Sequence, residues 1–115
     1  MNKNKAYLID ISQSMRVVVS HMGDATFEAF IVDIAKMDAV NRRLEIIGEA
    51  TKRLTPSFRD QHVDIPWQKM AGMRDRLIHG YDKLELDKVY DVVTMVIPPL
   101  IPKIEAIIQT LPDPE

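Results

Sequence analysis

Ten consecutive residues, Gly72-Met73-Arg74-Asp75-Arg76-Leu77-Ile78-His79-Gly80-Tyr81, gather two arginines, a histidine and a tyrosine around an expected helix end. Groups of these types can hold and cut a phosphodiester. Arginine presents a planar fork of donors that matches phosphate oxygens. Histidine titrates near neutral pH and can take or give a proton. Tyrosine adds a hydroxyl. Cleaving RNA without a metal requires a base for the ribose 2′-OH, a cation for the charged phosphorane and an acid for the departing 5′-oxygen. The segment supplies one imidazole. Arg74 and His79 stand five residues apart, about 140° around an ideal helix. Two arrangements would aim both at one phosphate. The helix could unwind near Gly80, or a two-fold dimer could bring two Arg74–His79 sets into one cleft, since a residue near the axis meets its own copy. The competing reading makes Arg74, Asp75 and Arg76 surface charges, His79 a cation favoured by the helix C-terminal dipole, and Tyr81 half-buried packing.

The elements that must position this segment read as helices. Tyr7, Leu8, Ile11, Met15, Val18, Val19 and Met22 recur at threes and fours, and Gly23 closes that run. Thr26 is a candidate N-cap for a helix opening with Phe27 and Glu28. From Asp33 to Leu54 the apolar face is Met37, Val40, Leu44, Ile47 and Leu54, opposite Asn41, Arg42, Arg43, Glu45, Glu49, Lys52 and Arg53. Gly48 inside that helix suggests a tight helix crossing. Thr55-Pro56 stops it. Pro56 to Pro66 reads as a loop with one turn around Ser57 to Gln61. Pro66-Trp67 opens a helix running to Ile78, with Gly80 as its stop. Asp87 is a candidate cap for an element with Val89, Tyr90, Val93, Val96 and Ile97 on its apolar face, and Pro98-Pro99 should kink or break it. Ile101, Ile104, Ile107 and Ile108 mark a last segment from Leu100 to Leu111, followed by a frayed tail. Strand and hairpin signals are nearly absent. The expectation is one all-α domain over residues 1–115, a bundle of four to five helices.

Composition narrows the function classes. The chain of 115 residues is 46% hydrophobic and 28% charged, ordinary globular values for a single domain. Without cysteine there is no disulfide scaffold, thiolate zinc site or cysteine nucleophile. Fifteen basic and seventeen acidic residues give a net charge of −2, so nucleic acid would have to be gripped by a local basic cleft rather than by bulk charge. Asp10 interrupts any apolar signal core, and Met95 to Ile104 is too short and too proline-rich to span a bilayer. The expected location is the cytoplasm, with no membrane partner.

Three blocks, in order, resemble the HepT-like toxin family of HEPN-domain proteins. Gly72 to Tyr81 is similar to that family's Arg-x-x-x-x-His-x-Tyr motif. Asn41 to Leu54 resembles its Ile-Gly-Glu-Ala helix, and Ile65-Pro66-Trp67 followed by Gly72-Met73-Arg74 resembles the lead-in. The resemblance implies a HEPN-type up-and-down helical bundle, usually a homodimer with the motif lining a cleft between protomers. It implies a metal-independent endoribonuclease acting as the toxin of a type VII toxin–antitoxin system. Its partner would be a minimal nucleotidyltransferase (MNT-type) antitoxin that transfers AMP to the motif tyrosine, here Tyr81. By position, Arg74 would orient the phosphate and His79 would transfer the proton, with Asp75 and Arg76 in support. Asp75 stands where the family most often has Asn, and Asp82-Lys83-Leu84-Glu85 replaces the familiar Phe-Gly-Val. No cofactor is implied. AMP on Tyr81 would block and repel an RNA phosphate together.

Elsewhere the signals are bland. His21 and His62 lack the carboxylate spacing of a metal site, and no glycine-rich phosphate loop is present. Arg42, Arg43, Lys52 and Arg53 would extend a basic rim, but Glu45 and Glu49 alternate with them, which favours a solvated face. Trp67 reads as a core or interface anchor and the methionines as packing filler. A second function class stays open beside the nuclease: a non-catalytic dimeric module that serves the nucleotidyltransferase. A purely structural dimer is a third.

Overall fold

In the computed structural model, residues 3–73 and 83–113 are described. Three long helical rods carry the fold. Helix α1 (Asn4–Met22) ends at Gly23, whose φ of 56° and ψ of −133° fall where essentially only glycine is at ease. The short helix α2 (Phe27–Phe30) is capped by Thr26, whose hydroxyl accepts from the Ala29 N–H at 3.1 Å. Helix α3 (Ile34–Arg53) starts at Asp33, whose carboxylate accepts from the Lys36 N–H at 3.0 Å. Helix α4 (Pro56–Gln61) follows, with Thr55 as cap, and α5 (Trp67–Ala71) after it. Helix α6 (Lys83–Asp91), a π-helical turn (Val92–Val96) and α7 (Ile97–Thr110) run on as one rod.

Cross-links fix how the rods lie. At one end of α1, the Asn4 amide donates to the Thr55 hydroxyl and its carbonyl accepts from the Thr55 N–H, both at 3.1 Å. At the other end, Lys36 Nζ donates to the His21 carbonyl at 2.8 Å. Helices α1 and α3 are therefore antiparallel. Along α1, Lys5 Nζ donates to the Leu111 carbonyl at 3.1 Å, while the Glu105 carboxylate accepts from Ser12 Oγ at 2.9 Å and from Arg16 Nε at 2.6 Å. Helix α7 is thus antiparallel to α1 on its other side. The core runs through all three rods, with Leu8, Ile11, Met15 and Val18 of α1 meeting Val40, Leu44 and Ile47 of α3 and Ile97 and Ile104 of α7. The apolar stripes read from spacing are the buried faces. The fold is an all-α bundle, and no strand occurs among the described residues.

Four local expectations are corrected. The helix opened by Pro66-Trp67 stops at Ala71, not Ile78. The Gly72 N–H bonds the Gln68 carbonyl, and the Met73 N–H reaches only three residues back, to Met70. Asp87 is no cap, because the rod is already helical at Lys83. Pro98 and Pro99 do not break the rod. An α-helical turn would press each proline ring against the carbonyl four residues back. The chain widens into a π turn instead, with the Ile97 N–H on the Val92 carbonyl five residues back, and the prolines fall in the first turn of α7. The tail is tied down as far as Asp113, whose carboxylate accepts from Lys5 Nζ at 2.7 Å. That pairing holds the Asp113 carboxyl below its usual range.

Candidate functional site

Arg74, Asp75, Arg76, His79 and Tyr81 lie outside the described residues. What the structure shows is the frame on either side of them. On the approach, Met70 and Met73 are buried in the core and α5 packs against α3. On the return, Leu86 and Val89 of α6 are buried, and the Tyr90 hydroxyl donates to the Ala25 carbonyl at 2.7 Å. Tyr90 also stands edge-on to Phe27, with ring centroids 5.6 Å apart. The motif is therefore carried between two anchor points of one core.

The approach is organised by Trp67. Its indole is buried at 7% exposure, and its N–H is shared between the His62 carbonyl at 2.9 Å and the Arg59 carbonyl at 3.2 Å. Each of these carbonyls also accepts a backbone N–H, from Ile65 and His62 respectively, so the indole adds a second bond to both at the end of α4. Phe58 fills the space beneath, 6.0 Å from Trp67 and 4.8 Å from the His62 ring. Trp67 is thus a core anchor.

Between α4 and the start of α5 lies a groove of about 500 Å³, and Arg59 is in its wall. Arg59 Nε is buried without a hydrogen-bond partner among the described residues. Reading the segment as a loop hid this arrangement. The signal present in the sequence was the proline pair Pro56 and Pro66, which brackets a rigid corner with one arginine in it.

The other basic residues behave as a solvated face. A second groove, of about 410 Å³, lies between α1 and α3 and is lined by both charges: Arg42 and Arg53, but also Asp10, Glu45 and Glu49. Arg42 lies 3.6 Å from the Glu45 carboxylate. His21 is exposed at the end of α1, and His62 stacks on Phe58. No cluster of potential metal ligands occurs among the described residues. No described helix is long and apolar enough to cross a membrane.

Among the described residues, a strongly displaced carboxyl is that of Glu105, in the α1–α7 cluster. Arg16 and then Ser12, by hydrogen bonding, pull the Glu105 carboxyl from 4.5 to about 2, and the same contact raises Arg16. This cluster clamps α1 to α7.

The family model for HepT-like ribonucleases matches residues 11–107. The chain belongs to the HepT-like ribonuclease family. A HepT-like relative in Methanocaldococcus jannaschii, named "Putative RNase MJ0127", is 37% identical over 107 residues, covering 93% of this chain and 88% of its own. The "Probable ribonuclease HepT" of Thermococcus cleftensis is 39% identical over 102 residues, covering 89% and 93%. A third relative, "Putative RNase TTE0752" of Caldanaerobacter subterraneus, is 36% identical over 109 residues, covering 95% and 97%. No solved structure matches. The match takes in all of α3, α4, α5 and α6 together with the Arg74–Tyr81 motif, so family membership rests on the frame as well as on the motif.

Proposed function

We propose that this HepT-like chain is a metal-independent endoribonuclease, and that it acts as the toxin of a type VII toxin–antitoxin pair. The observation that carries the reading is the Arg74-x-x-x-x-His79-x-Tyr81 motif within a family match over residues 11–107. His79 moves the proton between the ribose 2′-OH and the leaving 5′-oxygen, and Arg74 holds the phosphate and the charge it gains. The product is a 2′,3′-cyclic phosphate. Two copies of the chain complete the cleft, supplying a second imidazole. Asp75 and Arg76, which follow Arg74, support the motif, the Asp75 carboxylate by pairing with Arg74 or Arg76 or by orienting His79. The antitoxin, a minimal nucleotidyltransferase, silences the site by placing AMP on Tyr81, two residues from His79.

The test is RNA cleavage in the presence of EDTA. Wild type should cut, and Arg74→Ala and His79→Ala should each lose at least about a hundredfold in rate, the usual worth of a general acid–base group. Equal cutting by the variants would end the proposal. A mass increase on the Tyr81 peptide after co-expression with the nucleotidyltransferase checks the silencing step.

The net charge of −2 and the acidic Asp75 favour a second reading, a non-catalytic partner module for the nucleotidyltransferase. Expression without the partner separates the two readings. Growth arrest supports the toxin, and unimpaired growth supports the module.

A further inference from the structure

The groove between α4 and α5 combines three features. Its wall carries Arg59, whose Nε is buried with no hydrogen-bond partner among the described residues. The rest of the half-buried guanidinium lines the groove, and its planar fork of donors is the part an anion can reach. Its apolar lining includes Ile65, Pro66 and Trp67, with Val63 84% exposed. Its lining also includes the exposed Gln68, whose amide both donates and accepts. A cation, an apolar surface and an amide within about 500 Å³ match the three parts of one nucleotide: phosphate, base face and base edge. Asp60 also lines the groove, so its cation stands beside a carboxylate. Five residues after Gln68 the chain reaches Met73, the residue before Arg74.

We infer that this groove is a subsite for one nucleotide of single-stranded RNA, with the phosphate on Arg59, the base against Val63 and Pro66, and the base edge read by Gln68. The subsite rests on the ribonuclease reading and adds to it a contact that grips the strand outside the motif. It also answers a problem of charge. A chain of net −2 must concentrate its cations where the strand passes, and the α1–α3 groove, where Arg42 and Arg53 are matched by carboxylates, does not supply that.

Trp67, the chain's single tryptophan, lines the groove and reports on it directly. The experiment titrates the full chain with a 2′-O-methyl oligoribonucleotide, which lacks the attacking hydroxyl and cannot be cut. Binding is followed by Trp67 fluorescence and, in parallel, by anisotropy of a labelled strand. The expected result is saturable quenching of Trp67, with affinity about tenfold weaker in Arg59→Gln, the loss of one charge-assisted contact. The slope of log affinity against log salt should flatten by about 0.7 in Arg59→Gln and be retained in Arg59→Lys, because one phosphate contact is worth that much on a single strand. A merely structural role for Arg59 would not move the salt slope. Strand binding seen by anisotropy without a Trp67 response overturns the subsite. So does a response equal in wild type and Arg59→Gln, or a Trp67 response to the nucleotidyltransferase alone, which would assign the groove to a protein. Because the probe cannot be cleaved, these outcomes are independent of the EDTA assay: inactive protein with Arg59-dependent quenching refutes the nuclease, and active protein without quenching refutes the subsite.

Discussion

Glu105 makes the stability of this bundle sensitive to acid. Held at about 2 by Arg16 and Ser12 against an ordinary 4.5, it binds its proton less tightly folded than unfolded. Its contribution is therefore complete above about pH 4.5 and lost as pH falls toward 2. Glu105→Gln should show a shallower fall in melting temperature than wild type between about pH 5 and pH 2, read by thermal scans across that range. Gly23 makes a sharper demand. A Cβ there would meet nothing closer than the Ser20 carbonyl at 3.9 Å, so the obstacle is torsional and not steric. Gly23→Ala should cost about 1–3 kcal/mol in urea unfolding. Asn4 is buried with its amide on Thr55, and Asn4→Ala should cost about 1–3 kcal/mol by leaving the Thr55 N–H without that acceptor.

At the scale of elements, the long rods were legible and the corners were not. Leu8, Ile11, Met15 and Val18, and Val40, Leu44 and Ile47, declare their faces by spacing alone, because burial of a stripe is a property each helix carries itself. Thr26 and Asp33 declare helix starts by the same local logic. The end of α5 at Ala71 is different. Its apolar pattern continues beyond that point, and the stop becomes visible only once Met73 is seen buried against the core. The π turn is likewise illegible, since Pro98-Pro99 reads as a break until the rest of the rod is seen to need continuity with the face of α1. The motif residues were legible by chemistry and order. Arg59 was not, because a lone arginine in a short segment has no spacing to interpret. Pro102 offers an element-scale test. It is exposed inside α7 and denies the Pro98 carbonyl its helical partner. Pro102→Ala should raise stability by about 1–3 kcal/mol in urea unfolding, since the new N–H completes the turn.

At the scale of the whole molecule, the nuclease reading is a statement about two chains. One protomer holds one motif histidine, and the 13.2 kDa chain should therefore run at about twice its mass in light scattering at assay concentration. A monomer that still cuts RNA would remove the two-fold cleft from the mechanism while leaving His79 in it. The exposed turn at Val32, 77% accessible, sits between α2 and α3 and carries none of the proposed site.

That turn and the Lys5 bridge to Leu111 and Asp113 together make the order of the rods separable from their arrangement. The opening of α1 and the close of α7 are already neighbours, so a brief glycine-serine splice could join them while the chain is opened at Val32. Such a permuted chain would begin with α3 and reach the motif within its first half. If it still folds and cuts, the three-rod packing, and not the sequence in which the rods are synthesised, is what brings the motif to its place.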